Sequence, residues 1–359
     1  MALAMPVVWT DLHRLHEPGG EIWVGVRTPG TEVAARAERI RDELSVAGAR
    51  LVSARPQRDD ALLDVHDAEL VDYLAQAWND WDAAGLTVDP GQDRVVPYVF
   101  PHPTLLSDGA LAVPTAASAR AGAFAYDTMT FIGPGTWQAA RAAIDTALTA
   151  ADLVVAGESV AYACCRPPGH HAARACFGGS CYLNNAAAAA ARLRASLDDR
   201  VAVIDIDAHH GNGTQAIFYD DPEVLVGSAH VDPGAGWFPH FMGFHDETGG
   251  GANRNVPLEP GSGDDPWLEA VRGLADWALD LGASALVVPL GVDAAEEDPE
   301  SPLRVTARGF REAGHILGAL GLPTVVVQEG GYDLASIGRL VHETLLGIEQ
   351  GLGASDRGR

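Results

Sequence analysis

The chain has 359 residues, 47% hydrophobic and 20% charged, enough for one large α/β domain or two modest ones. Its 49 acidic and 24 basic residues give a formal charge of -25. That argues against binding nucleic acid through its phosphates, and it suits either a small cationic substrate or a solvated acidic surface. No apolar run approaches the roughly 20 residues that span a bilayer, and MALAMPVVWTDLHRLHEPGG lacks the basic and apolar regions of a signal peptide, so a cytoplasmic protein without membrane contact is expected.

The first 60 residues open on a loop rich in His, Pro and Gly around His13, His16, Pro18 and Gly19-Gly20. A charged helix follows at about 31–47, then a short strand in ARLVSARP. An amphipathic helix starts after His66, a position where a histidine is more often structural than functional. Residues 84–136 form the longest irregular region, punctuated by Pro97, Pro101, Pro103 and Pro114, and predict a binding loop or a subunit contact. Inside it, Phe124-Ala125-Tyr126-Asp127 ends in an acid able to accept a hydrogen bond from a substrate amide.

An Ala-rich helix at 137–151 leads into a regular alternation. Strand SVAYACC precedes a helix capped by Asn184 or Asn185; VAVIDID, EVLVGSAH, ALVVPLGVD and TVVVQEGGYD supply further strands. Helices fall in PWLEAVRGLADWALDLG, in the segment started by Thr306, and at about 335–350. The alternation predicts an α/β fold over 1–350, with one domain, a doubly wound, mainly parallel sheet and helices on both faces. Residues 351–359 read as a flexible tail. Cys164, Cys165, Cys176 and Cys181 lack C-x-x-C spacing and read as reduced thiols near a buried strand, not as a metal cluster or disulfides.

Chemistry concentrates in VAVIDIDAHHGNG, residues 201–213. Side chains alternate along a strand, so Asp205, Asp207 and His209 leave its end on one face, where open α/β sheets bind their ligands. An Asp and a His two residues apart suit a borderline divalent metal such as zinc, although a lone pair of this kind is as often a helix cap beside a core histidine. Three other strand ends, RPPGHH, GVDAAEEDP and EGGYD, reach the same edge. Asp293 then offers a third ligand and leaves coordination positions open for water and substrate. One of His170 and His171 can act as general base while the other carries positive charge. Asp205 and Asn212 are the candidates to fix their tautomers, and the Asp-paired ring should be the more basic. Tyr332 follows Gly330-Gly331 and can donate to an oxyanion, though a tyrosine after two glycines is usually just a turn residue.

Taken together, RPPGHHA, CYLNNAAAAAA, DIDAHHGNGTQAIFYDDPEV, LGVDAAEEDP and EGGYD resemble the zinc-dependent deacetylases of the arginase–deacetylase fold. FGGSCYLNN, FAYDTMTFIGPGTWQAA and DPESPLRVTARGF are most similar to the bacterial acetylpolyamine amidohydrolase branch. The resemblance implies hydrolysis of an acetamide on a primary amine, with Asp207, His209 and Asp293 on zinc (iron(II) suits the same ligands) and His170 and His171 as the catalytic pair. His171 would be the general base and acid, and Tyr332 would polarise the acyl carbonyl. Asp205 would orient His170, and Asn212 would orient His171. It further implies a structural potassium site at Asp205, Asp207, His209 and Ser228, and Asp127 at a substrate rim with Gly179 and Gly330.

Ser180 stands where related enzymes carry Phe or Tyr, which predicts a wider or more polar channel with Phe124 or Phe177 opposite. Between Val99 and Tyr126 the only acid is Asp108, so a distal ammonium would look to Glu296, Glu297 or Glu300. The loop over 84–120 resembles an insertion that narrows the channel and forms a homodimer. The expected substrate is a small cationic acylated amine. The alternatives are a protein acyl-lysine deacylase, a non-catalytic acyl-ligand-binding protein on the same fold, and a two-metal ureohydrolase.

Overall fold

The computed structural model describes residues 3–106 and 111–358; Asp108 lies outside them. Its strands are β1 (Pro6–Trp9), β2 (Glu21–Trp23), β3 (Val26–Thr28), β4 (Arg50–Ser53), β5 (Val160–Ala163), β6 (Val201–Asp205), β7 (Val224–Val231), β8 (Asn253–Leu258), β9 (Ala285–Leu290) and β10 (Thr324–Gln328). Eight of them form a sheet in the order β4-β1-β5-β10-β9-β6-β7-β8, and every pairing in it is parallel. Parallel strands need crossover connections, and here these are helices on both faces. The helices are α1 (Ala35–Val46), α2 (Asp60–Leu63), α3 (Ala68–Ala83), α4 (Ala117–Phe124), α5 (Thr136–Val155), α6 (Asn185–Leu197), α7 (Asn212–Phe218), α8 (Asp264–Asp280), α9 (Ala307–Gly318) and α10 (Ile337–Gly358). None of the described helices is long and apolar enough to cross a membrane.

Strand alternation splits the core into two layers. Ala202, Ile204, Leu286, Val288 and Val326 face the layer that holds Ile40, Trp267, Phe310 and Val341 from α1, α8, α9 and α10. Val201, Val203, Val287, Val325 and Val327 face the other, with Leu74, Ile144 and Leu193 from α3, α5 and α6. Both faces of the central strands are therefore buried, which is why they read as continuous apolar runs. Asn184 caps α6 by accepting from the Ala187 N–H at 2.8 Å, and Thr306 caps α9 by accepting from Gly309, as expected.

Several elements differ from the sequence reading. The opening stretch read as a loop contains β1, an internal strand of four residues, and the β2–β3 hairpin. Residues 84–136 are not wholly irregular, because α4 lies within them; it closes on the preceding loop, where a Cβ at Gly122 would overlap the Val99 carbonyl. The flexible tail expected over 351–359 is helical through Gly358, since α10 continues without a break. Gly347 and Gly351 lie against the carbonyl oxygens of Arg311 and His315 in α9, and Gly314 and Gly318 of α9 lie against Thr344 and Ile348 of α10. These glycines form a close-packing surface between the two helices.

Candidate active site

The four motif-bearing strands β5, β10, β9 and β6 are consecutive neighbours in the middle of the sheet. Their carboxyl ends converge because the sheet order, not the sequence order, puts them side by side, at the edge where open α/β sheets bind ligands.

Each acid beyond these ends is aimed by a backbone N–H. Asp205 accepts from Asp207 at 3.0 Å, Asp207 from His209 at 2.9 Å and from Gly330 at 2.8 Å, and Asp293 from Ala208 at 2.8 Å. Donor atoms of Asp207, His209 and Asp293 gather within 4.8 Å of one another, and His209 Nδ1 lies 3.1 Å from an Asp293 oxygen. Burial and the Asp207 charge push the Asp293 carboxyl up to about 7. Burial alone would lower His209, but the two carboxylates hold it well above its ordinary range. Two buried carboxylates and an imidazole nitrogen converging on one point form a donor set that fits a divalent cation such as zinc.

The paired histidines come from the bend after β5. His170 Nδ1 sits 2.9 Å from Asp205 Oδ2, and His171 Nδ1 sits 2.7 Å from Asn212 Oδ1. Asn212 Nδ2 donates to the Tyr126 hydroxyl at 3.3 Å, and that hydroxyl donates to the His171 carbonyl at 3.0 Å. This ring leaves Oδ1 of Asn212 as the acceptor for His171 Nδ1–H, so His171 Nε2 carries a free lone pair. Burial disfavours charge on His170, yet Asp207 and Asp205 raise it to about 10. Burial and the neighbouring charges of His170 and His209 hold His171 well below its ordinary range. The Asp-paired ring is thus the more basic, as the sequence predicted.

Tyr332 follows β10, and its backbone N–H is held by Asp298 at 2.6 Å. Its ring lies under the Arg36 guanidinium, 4.5 Å from the ring centroid. Arg36, from α1, donates to the Gly331 carbonyl at 2.5 Å and the Glu329 carbonyl at 2.6 Å, and pairs with the buried Glu32 at 2.8 Å. Arg166 pairs with the same carboxylate at 2.8 Å. The tyrosine loop is therefore pinned, not free to swing.

His171, His209 and Tyr332 open onto a cavity of about 390 Å3, also bounded by Gly179, Ser180, Met129, Trp237 and Phe238. Glu21, Trp23, Thr31 and Glu300 line it as well. Gly179 has φ +58°, and any side chain there would strike the His171 ring. Phe238 meets that ring edge-on at 4.8 Å between centroids.

Some expected residues stand elsewhere. Phe124 and Phe177 do not face Ser180 across the cavity; they are buried, stacked on Tyr73 in the core, and Phe238 provides the aromatic wall. The Asp127 carboxylate is not free for substrate. It accepts from the backbone N–H groups of Met129, Thr130 and Gly179 and from the Thr130 hydroxyl, which saturates its lone pairs and shapes the Gly179-Ser180 wall. Gly330 sits behind the acids, where a Cβ would overlap Asp293. Ser228 pairs with Asp205 in the sheet register, while its hydroxyl lies 2.8 Å from His230 Nδ1. The sequence reading missed Tyr126, Arg36, Phe238 and Glu21.

Residues 30–348 match the Histone deacetylase domain family. The chain is 38% identical over 349 residues to the acetylpolyamine amidohydrolase of Mycoplana ramosa, covering 96% of this chain and 99% of that protein. It is 39% identical over 350 residues to acetylpolyamine amidohydrolase 1 of Pseudomonas aeruginosa, covering 95% and 98%. The crystal structure of acetylpolyamine aminohydrolase from Burkholderia pseudomallei superposes with a TM-score of 0.88 at 35% identity, covering 98% of this chain and 99% of that one. The sheet, the converging acids and histidines, and these matches together make the chain a member of the histone deacetylase domain family, a metal-dependent hydrolase of the deacetylase type.

Proposed function

We propose that the chain hydrolyses the amide of an N-acetylated polyamine, or a similar small acylated primary amine, as a zinc-dependent enzyme. The observation that carries this reading is the cavity with His171, His209 and Tyr332 together with two carboxylates, Glu21 and Glu300. Among the described residues, no Lys or Arg lines the cavity to neutralise them. Burial and the Glu300 charge both raise the Glu21 carboxyl above its usual range, a cost that a bound ammonium group would relieve. Trp23 and Phe238 add aromatic faces able to attract a cation. Relatives named for acetylpolyamines over nearly the full length support the same substrate class.

Asp207, His209 and Asp293 would hold the zinc, and iron(II) suits the same donors. Bound there, the metal would supply Lewis acidity toward the acyl carbonyl and the attacking water. His171 Nε2, neutral and oriented through Asn212, takes the proton from that water and returns it to the departing amine. His170, kept charged by Asp205, stabilises the negative charge that develops beside it. The Tyr332 hydroxyl donates to the carbonyl oxygen as it becomes anionic. Gly179 and Ser180 form the near wall of the acyl site. A potassium ion at Asp205, Asp207, His209 and Ser228, partly through backbone carbonyls, would offset the buried negative charge.

Acetate release from acetylputrescine, acetylspermidine, acetylcadaverine and an acetyl-lysine peptide, compared on zinc-loaded protein with His171→Ala as control, tests the reading. Turnover concentrated on the acetylpolyamines is expected, with Glu21→Gln and Glu300→Gln raising KM for them. Turnover of the peptide alone would make the chain a protein deacylase and defeat the small-amine assignment.

A further inference from the structure

Beside the catalytic pair lies a second cluster of metal-binding groups, of which the chemistry above uses only His170. Donor atoms of His170, Cys181 and Glu329 lie within 4.8 Å of one another, and all three residues are buried. Asp205 occupies His170 Nδ1, which leaves Nε2 as the ring's available donor. Glu329 Oε2 accepts from the Gly169 and His170 N–H groups at 2.6 and 3.1 Å, whereas Glu329 Oε1 is buried with no hydrogen-bond partner. An unpartnered buried carboxylate oxygen is costly, and it marks this cluster as incomplete without a ligand. Cys181 sits in a tight turn closed by paired backbone hydrogen bonds with Gly178, so its position is set by the chain.

We propose that His170, Cys181 and Glu329 form a second, inhibitory site for a borderline-soft divalent cation such as zinc. Imidazole, thiolate and carboxylate are the donor types that zinc combines, and bond lengths of roughly 2.0–2.3 Å would draw these atoms together from a spacing of at most 4.8 Å. Binding releases two protons to solvent, the Cys181 thiol proton as the sulfur–metal bond forms and the Nε2 proton of His170 as the nitrogen–metal bond forms. It also binds the Nε2 edge of His170, which otherwise lies 3.8 Å from Asp207 Oδ1, so the ring can no longer serve the catalytic centre. The cysteines read as reduced thiols in the sequence because they lack C-x-x-C spacing, and Glu329 is far from Cys181 along the chain. The site itself stands apart from the proposed substrate; only its inhibitory consequence rests on the role given to His170.

Cobalt(II) titration of the metal-stripped full chain separates the two centres. The Asp207–His209–Asp293 centre contains no sulfur, so the first equivalent should bind without a thiolate-to-cobalt charge-transfer band. The second equivalent should bring in that near-ultraviolet band, and Cys181→Ser should lose both the band and the second ion while keeping the first. Glu329→Gln should weaken the second ion alone, which keeps the test intact if the Cys181 variant does not fold. With zinc, acetate release should rise with the first equivalent and fall with the second in the wild type, and it should not fall in Cys181→Ser. One cobalt per chain at excess metal, or a band that persists in Cys181→Ser, would overturn the second site. Loss of the first equivalent in the wild type would instead count against the catalytic centre and leave this one standing.

Discussion

Tyr332 carries the most isolated role of any residue in the cavity. Burial lifts its phenol well above its ordinary range, so it keeps its proton at neutral pH and can donate. Its ring stays under Arg36 whether or not the hydroxyl is present. Tyr332→Phe should therefore retain metal, measured as bound zinc per chain, while lowering kcat by about 10²–10³, the scale for one oxyanion donor. Wild-type turnover in that variant would remove the tyrosine from the mechanism. The sequence exposed this residue, the two histidines and the three acids because each follows a buried apolar strand, and a polar group after such a run stands out. Arg36 and Tyr126 stayed hidden for the opposite reason. Arg36 sits in a charged helix among other arginines and acids, and only the packing of α1 brings it to the Gly331 and Glu329 carbonyls. Asp127 misled because a carboxylate's function depends on how many donors already fill it, and three of its four donors are backbone N–H groups.

At the scale of elements, α9 and α10 touch through glycines whose Cα atoms lie against the partner's backbone. Gly347→Ala would drive a methyl into the Arg311 carbonyl, so the helices must separate, at a cost of about 1–3 kcal/mol. Gly353 lies in the same helix but meets nothing, so Gly353→Ala should stabilise the helix by up to about 1 kcal/mol. Thermal unfolding of the two variants should therefore move in opposite directions. Periodicity revealed both helices, but in a sequence glycine signals a break as readily as a contact. The β2–β3 hairpin was hidden similarly. Its turn residues Val24 and Gly25 have φ of 48° and 81°, and Val-Gly lacks the Asn-Gly or Asp-Gly signal that such turns usually show. That hairpin is what brings Glu21 and Trp23 to the cavity. The entry to α3 is anchored by His66, whose Nδ1–H donates to the Ala173 carbonyl at 3.0 Å while Nε2 accepts from the Asn184 N–H at 2.9 Å. Accepting at Nε2 requires a neutral ring, and burial lowers its pKa to about 4. Between about pH 4 and 6.5 the unfolded chain holds a proton that the native His66 does not, so acid favours unfolding. Stability should fall across that window by about 1.4 kcal/mol per pH unit for this group. Denaturant unfolding of metal-loaded protein at several pH values should show His66→Gln losing about one proton from the slope; an unchanged slope would place the linkage elsewhere.

For the whole molecule, charge and apolar exposure pull in opposite directions, and the balance sets its assembly. A formal charge of -25 on each chain opposes association. Yet the loop between α3 and α4 exposes Tyr98 at 75% and Leu105 at 81%, together with Val99, Phe100, Leu111 and Val113. Apolar side chains concentrated like this are uncommon on a monomer's surface and mark an interaction site. The sequence suggested a contact here from an irregular, proline-rich stretch and from its resemblance to a dimerising insertion; the exposure of these side chains supplies a physical reason. If this loop is the homodimer contact that the sequence led one to expect, apolar burial would hold it and like charge would oppose it. Because salt screens that repulsion over a Debye length of about 8 Å at physiological ionic strength, dimerisation should tighten as salt is raised. Light scattering across a salt series should show the dimer gaining at higher ionic strength, and Leu105→Glu or Tyr98→Glu should shift the population to monomer. If the loop also narrows the approach to the cavity, the same variants should raise KM for an acetylpolyamine more than they lower kcat. A chain that stays monomeric at every salt concentration would leave the exposed residues without a partner of their own kind and remove the loop from the account of substrate choice.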